Sequence, residues 1–229
     1  HQFAYRQKRS TQDAVLCLTT TITNFIDKSA TNYARCLFLD FSSAFNTIRV
    51  EYLIPLLQHL DSNVTGWVTS FLSNRVQQTM VNNKLSAPIL THTGTPQGSV
   101  LSPLLFSLYT NRITSNLSNI TVLKYADDTC VIGLVGSDLD LCNYFSEIDR
   151  ISKQCTDLDL LLNASKTKEM LFSTQRIKPD SPNLILDGTE ISFCDQVKYL
   201  GVDIDNKLRY EDYVQKIAGK ASQRMFVVK

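Results

Sequence analysis

The sequence lacks several features that would place it in large classes of protein. Its 229 residues contain no run of 18 apolar residues and no secretory signal, so we predict no membrane span. The net charge is only +1, with 23 basic and 22 acidic residues, which excludes binding of nucleic acid through an overall positive charge. Repeats, low-complexity tracts and long linkers are also missing. Any contact with nucleic acid must therefore come from the local placement of lysine and arginine.

The cysteines form no close pair and no metal-binding spacing, although the chain has six of them. Four lie in apolar runs, as is typical of small core residues: Cys17, Cys36, Cys130 and Cys155. This pattern favours a reducing compartment inside the cell. With 43% hydrophobic and 20% charged residues, the chain can form one sizeable core or two small ones. Because it begins at His1 rather than Met, we expect it to be a segment of a longer protein.

The stretch Tyr125-Ala126-Asp127-Asp128 lies between two short apolar runs that are rich in β-branched residues. This pattern predicts a strand, a tight turn and a second strand. Two adjacent carboxylates at a turn need partners for their charge, and hard oxygen ligands suit Mg²⁺. A solvated turn is the alternative, because aspartate is common in turns.

Two further segments carry unusual chemistry. A continuous apolar run over residues 36–39 predicts a buried strand, and it ends at Asp40. An aspartate at that place lies where the strand leaves the core, which is where sites form on open sheets. Residues 94–99, Gly-Thr-Pro-Gln-Gly-Ser, consist of turn formers. Their glycines and proline predict a backbone that another molecule can approach closely.

Apolar residues spaced by three and four predict the helices, and turn residues between apolar runs predict the hairpins. The predicted helices cover residues 10–28 (capped by Ser10), 53–60 and 64–72, a helix from a Ser102 cap, a long helix from Asp138 and a basic tail over residues 213–229. The predicted hairpins turn at Asn82-Asn83, Asp127-Asp128 and Asp187-Gly188. Residues 197–202 predict one further strand.

Four motifs occur in a fixed order: DFSSAF at 40–45, GTPQGS at 94–99, YADD at 125–128 and YLGV at 199–202. With the flanking text QFAYRQKRST and LNASKTKEMLF, they resemble the reverse transcriptases, and those of non-LTR retrotransposons most closely. The resemblance covers nearly the whole chain. It implies an RNA-directed DNA polymerase that acts in retrotransposition, inside the cell, as a ribonucleoprotein in nucleus or cytoplasm.

The same resemblance implies an α/β (α+β) fold, with the antiparallel sheet of a right-hand polymerase palm packed on helices. Fingers-side elements would cover residues 1–35 and 64–95, palm residues 36–63 and 96–204, and the start of the thumb residues 205–229. The expected partners are an RNA template, a DNA primer and deoxynucleoside triphosphates, with no membrane. Further fingers, thumb and endonuclease regions would belong to the parent polyprotein.

The resemblance also assigns roles to residues. The carboxylates of Asp40, Asp127 and Asp128, with the backbone carbonyl of Phe41, would hold two Mg²⁺ ions, with Mn²⁺ as a substitute. Lys166 is the candidate general acid near the leaving pyrophosphate; Lys168 is its competitor, and a solvated lysine is the alternative. The nucleotide would contact Phe45, as a steric gate, and Pro96, Gln97 and Gly98. The primer and template would contact Tyr125, Tyr199, Leu200, Gly201, Arg6 and Arg9.

One position departs from the family pattern. Many relatives carry Asp where this chain has Asn46, but that residue is not one of the metal ligands, so the departure leaves metal binding intact.

Three other functions are considered. An RNA-templated RNA polymerase typically has a second carboxylate five residues after the first aspartate and a glycine before the Asp pair, so Phe45 and Ala126 count against it. An inactive palm that only binds nucleic acid would have lost one of the three aspartates. A two-metal nuclease does not account for the loop at 94–99. For Arg6 and Arg9, a solvated entry segment is the alternative.

Overall fold

The computed structural model describes residues 1–176 and 179–227. Its helices are α1 (Thr11–Ile26), α2 (Val50–Leu53), α3 (Ser62–Leu72), α4 (Leu101–Tyr109), α5 (Asp138–Asp157) and α6 (Glu211–Val227). Its strands are β1 (Tyr33–Leu39), β2 (Arg75–Gln77), β3 (Met80–Val81), β4 (Lys84–Leu85), β5 (Ile89–Thr91), β6 (Ile120–Tyr125), β7 (Asp128–Val135), β8 (Lys168–Ser173), β9 (Leu184–Leu186), β10 (Thr189–Ile191), β11 (Gln196–Tyr199) and β12 (Val202–Asp205).

The chain divides into two compact units. The first contains His1–Asp40, Ser115–Asp149 and Asn163–Lys229, and the second contains Phe41–Thr114 and Arg150–Leu162. The fingers, palm and thumb limits expected from the sequence stay predictions. The first unit contains the first 35 residues together with β1 and Asp40. The rest of the DFSSAF motif, from Phe41, belongs to the second unit.

An antiparallel sheet in the order β6-β7-β1-β8 forms the centre of the first unit. Every residue of β1 after Tyr33 is buried, as its continuous apolar run predicts. One face packs against α1, whose buried residues recur at helical spacing: Ala14, Leu18, Ile22 and Ile26. Ser10 and Asp13 cap this helix reciprocally, so the predicted helix start is confirmed.

The opposite face of the sheet buries a charged network that the sequence did not reveal. Arg35 and Glu169 form a two-point ion pair, with both N–O distances 2.8 Å and both side chains fully buried. Tyr144 from α5 donates a hydrogen bond to the same carboxylate, at 2.8 Å. A Cβ at Gly133 on β7 would lie 2.2 Å from the Tyr144 ring, so only glycine leaves room for it.

Two hairpin turns follow the local sequence closely, one is shifted by a residue, and one was not foreseen. The turn predicted at Asp127-Asp128 is wrong by one residue, because Tyr125 lies opposite Asp128 and Ala126-Asp127 form the turn. Asn82 and Asn83 both take positive φ between β3 and β4, and Asp187-Gly188 does the same between β9 and β10, so both predicted hairpins are confirmed. The single strand predicted over residues 197–202 is wrong. Leu200 and Gly201 take φ of 49° and 85° and join β11 to β12 in a two-residue turn.

The second unit is mainly helical and differs from the sequence prediction at two places. The helix expected over residues 53–60 is wrong: α2 ends at Leu53 and a 3-10 turn covers Ile54–Leu57, because Pro55 cannot supply a backbone N–H to continue α2. Ser102 does not cap α4. Val100 occupies the cap position, and the Ser102 hydroxyl donates to the carbonyl of Pro96 at 2.7 Å.

The remaining sequence expectations concern cysteines, membranes and the tail. None of the six cysteines forms a disulfide. Cys36, Cys130 and Cys155 are buried, whereas Cys17 is only half-buried. None of the helices in the described residues is long and apolar enough to span a membrane. The predicted helical tail is confirmed as α6 up to residue 227, and its last two residues lie outside the described part.

Candidate functional site

The turn between β6 and β7 presents the two adjacent aspartates. Tyr125 lies opposite Asp128 in the register, so Ala126 and Asp127 form a two-residue turn. Ala126 takes φ of 58°, a left-handed conformation that costs a non-glycine residue about 1–3 kcal/mol and is found mainly at functional sites. Tyr125 is half-buried against the core, whereas both aspartates are exposed.

Asp40 belongs to the same edge of the sheet. Leu39, the last residue of β1, lies opposite Thr129 on β7. Asp40 comes directly after Leu39, and Asp128 comes directly before Thr129, so both aspartates lie at the same end of this strand pair. The main chain of Asp40 is held by the turn that precedes β8. Its N–H donates to the hydroxyl of Thr167 at 3.3 Å, and its carbonyl accepts from the N–H of Asn163 at 2.8 Å. Folding therefore places Asp40, Asp127 and Asp128 at one edge of the sheet.

Lys166 lies on the turn that holds Asp40. Its Nζ is 4.0 Å from Asp40 Oδ2, and its side chain is 69% exposed, so the contact contributes little to stability. Lys168, the competitor for the same role, lines a cavity of about 180 Å³ together with Lys166, Asp40, Asp128 and Lys198. The ion pair with Asp40 favours Lys166 of the two candidates.

Burial and two neighbouring carboxylates affect the electrostatics of Asp128. Although Asp128 is exposed at the surface, partial desolvation raises its pKa, and the charges of Asp127 and Asp40 raise this pKa further. Desolvation also raises the pKa of Tyr5, with a contribution from the charge of Asp127. Within residues 1–176 and 179–227, no three His, Cys, Asp or Glu side chains converge closely enough to form a metal site. Metal binding therefore stays a prediction.

We expect Asp128→Asn to raise the melting temperature of the metal-free protein at pH 7. Because the folded state raises the pKa of Asp128, its contribution to stability falls as the pH rises above the pKa of the unfolded chain, and the amide removes that cost. Near pH 3, where the carboxyl is protonated in both states, variant and wild type should melt alike. Thermal melting at both pH values is the measurement.

Asp149→Asn, at an exposed position of α5, is the control for that experiment. Added Mg²⁺ should stabilise the wild type more than Asp128→Asn, by about 1.4 kcal/mol at ten times its Kd. A variant that melts at or below the wild-type temperature at pH 7 without metal would contradict the repulsion inferred for the three carboxylates.

The predicted primer-contacting residues lie at the β11–β12 hairpin. Tyr199 is only 4% exposed, its ring centroid is 5.3 Å from that of Phe38, and its hydroxyl has no hydrogen-bond partner in the described part of the chain. Its side chain is therefore part of the core, so any primer contact falls to the turn residues Leu200 and Gly201. Lys198, the exposed neighbour of Tyr199, was missed in the sequence; alternation along β11 is the signal that identifies it.

The N-terminal segment packs beside the β6–β7 turn. Phe3 N–H donates to the carbonyl of Lys124 on β6 at 2.8 Å, and the amide oxygen of Gln2 accepts from Ala126 N–H at 3.3 Å. Sequence reasoning did not single out Gln2, although it lies in the QFAYRQKRST block. Arg6 and Arg9 are exposed on the same segment, and the Arg9 guanidinium lies 5.6 Å from the Phe3 ring centre. Their contact with nucleic acid stays a prediction.

The second unit contains the predicted nucleotide-contacting residues, and hydrogen bonds join two of its motifs. The carbonyl of Phe45 accepts from Thr95 N–H at 3.0 Å, and that of Ile48 accepts from Gly94 N–H at 2.7 Å. The Phe45 ring is half-buried, with its centroid 4.9 Å from that of buried Phe106. The Phe45 segment and the loop at 94–99 therefore form one structural element.

A cavity of about 570 Å³ opens beside this element. Its lining is mostly polar and comprises Asn46, Arg75, Val76, Gln77, Thr91, Thr93, Thr95, Pro96 and Gln97. Gln97 and Gly98 are exposed, and Gly98 takes φ of 79°. Arg75 is the one arginine in this lining, and no pattern in the sequence marks it.

Comparison with known proteins shows the family. The model of the family described as reverse transcriptase (RNA-dependent DNA polymerase) matches residues 1–204. This chain belongs to that family. The match spans all four motifs, so the resemblance to reverse transcriptases is confirmed. The relatives described next confirm the resemblance to those of non-LTR retrotransposons.

Relatives of this reverse transcriptase come from insect mobile elements. It is 29% identical, over 98% of its length, to a probable RNA-directed DNA polymerase from transposon BS of Drosophila melanogaster. It is 26% identical, over 94% of its length, to the RNA-directed DNA polymerase from mobile element jockey of the same species. The chain spans only 26% and 24% of these two relatives.

A solved structure with the same fold is the apo telomerase from Candida tropicalis, truncated from the C-terminal domain. The TM-score is 0.59 at 13% identity, over 91% of this chain and 40% of the telomerase. Likeness at this identity shows the fold alone. With the family match, it confirms the predicted mixed α/β polymerase palm.

Proposed function

We propose that this reverse transcriptase chain catalyses RNA-directed DNA synthesis, extending a DNA primer on an RNA template in retrotransposition. The observation that carries the proposal is the placement of Asp40, Asp127 and Asp128 at one edge of the sheet. The family match and the insect relatives support it. RNA template, DNA primer and deoxynucleoside triphosphates are the proposed substrates.

The donor set fits divalent metal ions. Three carboxylates that repel one another provide hard oxygen ligands, and Mg²⁺ or Mn²⁺ would neutralise their charge. Asp40, Asp127 and Asp128 would hold two ions. When bound, such a pair stabilises the attacking and leaving oxygens of an in-line displacement.

The remaining roles belong to side chains and loops of the chain itself. Lys166, on the turn bound to Asp40, would donate a proton to the leaving pyrophosphate. Pro96, Gln97 and Gly98 would contact the incoming nucleotide. Leu200 and Gly201 would support the primer end.

Primer extension on poly(rA)/oligo(dT) tests the proposal in the full-length protein. We expect incorporation of dTTP that depends on Mg²⁺ and on the RNA template. A protein that incorporates UTP in preference to dTTP would instead be an RNA-templated RNA polymerase. A folded protein that binds primer–template without extending it would be a nucleic-acid-binding module.

We expect Phe45→Ala to admit ribonucleotides. The Phe45 ring is fixed against Phe106, and a bulky ring beside the sugar would exclude a 2′-hydroxyl and offer it no hydrogen-bond partner. Its removal should lower the ratio of kcat/KM for dTTP over UTP by about tenfold or more. The ratio is measured on one primer–template.

Phe71→Ala is the matched control for the gate. Phe71 also lies in the second unit and stacks on an aromatic ring, Trp67, at 5.8 Å. This control should leave the ratio of kcat/KM unchanged. If Phe45→Ala also leaves it unchanged, Phe45 is only a packing residue.

A further inference from the structure

The backbone of Thr93–Thr95 leads into the nucleotide-contacting loop and is bound along one side by the Phe45 segment. That segment accepts hydrogen bonds from Gly94 N–H and Thr95 N–H, as described above. Gly94 takes φ of 73°, and a Cβ there would lie 2.8 Å from Asn46 Cα. The close approach therefore requires glycine, the residue with the most conformational freedom to lose on ordering.

Arg75 binds the other side of the same backbone. Its Nη2 donates to the carbonyls of Thr93 and Gly94 at 2.6 and 2.7 Å, and its Nε donates to the carbonyl of Leu72 at 3.0 Å. One planar guanidinium thus connects the end of α3 to the first residues of the loop. Hydrogen bonds from a charged donor are roughly twice as strong as neutral ones, and lysine cannot reproduce this planar fork.

We infer that Arg75 is a positioning residue that holds the Gly94–Ser99 loop in the conformation that receives the incoming nucleotide. The inference rests on the proposed function, in which Gln97 and the loop backbone contact that nucleotide. Without the guanidinium, Gly94 regains access to other conformations, and only a fraction of molecules has a competent loop. Apparent affinity falls by that fraction, so the KM for the nucleotide rises while turnover of bound nucleotide is retained.

Arg75 has a competing role, because it also lines the 570 Å³ cavity beside Gln97. In that role its charge would contact a phosphate directly, and a lysine would serve as well. The two roles therefore differ in the expected behaviour of Arg75→Lys. That variant retains the positive charge but replaces the planar guanidinium, which binds three carbonyls, by a single flexible ammonium.

The test measures KM and kcat for dTTP on poly(rA)/oligo(dT) with the full-length protein. We expect Arg75→Met to raise KM about tenfold or more, with kcat within about threefold of wild type. Arg75→Lys should keep most of this defect. Arg49→Met is the matched control, because the Arg49 guanidinium lies in the same unit but binds the carboxylate of Asp159, at 2.6 Å. Its KM should equal that of the wild type.

Several results would overturn the inference. An unchanged KM in Arg75→Met would show that the bridge has no role in nucleotide binding. Full recovery in Arg75→Lys would assign the residue to direct charge contact. A fall in kcat and melting temperature at constant KM would show a purely structural role, because loss of folded enzyme does not change the KM of the molecules that remain. A wild type without any extension refutes the proposed function instead, so the two failures are distinguishable.

Discussion

Asp127→Asn is expected to lower primer extension at least ~10²-fold, the effect of removing one group that stabilises charge in a transition state. The same loss is expected for Asp40→Asn. Both carboxylates lie at the edge of the sheet where the phosphoryl group would react, and either amide removes a negative oxygen ligand. The measurement is the rate of dTTP incorporation on poly(rA)/oligo(dT) by the full-length protein.

The control for these variants is Asp149→Asn, which removes an exposed carboxylate of α5 and should leave the rate unchanged. Melting temperatures show that each variant is folded. Synthesis above about a tenth of the wild-type rate in Asp127→Asn would be incompatible with a role as metal ligand, given the size of the expected effect.

The second large effect concerns stability. Arg35→Met should lower the free energy of unfolding by about 3–5 kcal/mol, because it leaves the carboxylate of Glu169 buried without its ionic partner. Glu169→Leu should cost about as much, since it leaves the Arg35 charge unpaired and removes the acceptor of Tyr144. Burial and the charge of Glu169 raise the pKa of Tyr144, so its hydroxyl stays a donor at neutral pH. Urea unfolding measures these changes.

The double variant Arg35→Met/Glu169→Leu measures the interaction energy between the two charged side chains. Apolar residues of similar volume often replace a buried ion pair at little cost, so the double variant should be more stable than either single variant. Strictly additive losses would show that the two charges act independently. Arg35 also donates to the Ser181 hydroxyl and the Pro182 carbonyl at 2.8 and 2.9 Å, and both acceptors lose that donor in the double variant.

Local chemistry accounts for the elements that the sequence predicted well. The Ser10 cap, the Asn82-Asn83 turn and the Asp187-Gly188 turn each depend on a few neighbouring residues whose preferences are strong. Where prediction was wrong, local preference was weak or ambiguous. Leu200-Gly201 forms a turn within an alternating apolar pattern. Leucine rarely takes positive φ, so residue type at this position does not indicate a turn.

Ser102 shows a different limit. Ser-Pro is a typical helix start. The hydroxyl of Ser102 does not cap the helix but donates a hydrogen bond to the carbonyl of Pro96 in the preceding loop. The contact depends on where the loop backbone passes. Arg75 and Gln2 were missed for the same reason, because each binds backbone groups that are distant in the sequence.

By itself, the sequence determined the family, the order of the four motifs and the aspartates at the ends of β1 and the β6–β7 turn, because these depend on residue type and local pattern. Only the tertiary structure decided that Asp40 and Asp128 adjoin the paired residues Leu39 and Thr129. It likewise decided that Lys166 contacts Asp40 and that Arg75 binds the loop. It also decided that Tyr199 is a core residue and that Arg35 and Glu169 pair inside the sheet unit. Strand register and burial arise from contacts between distant segments, which local sequence preference does not specify.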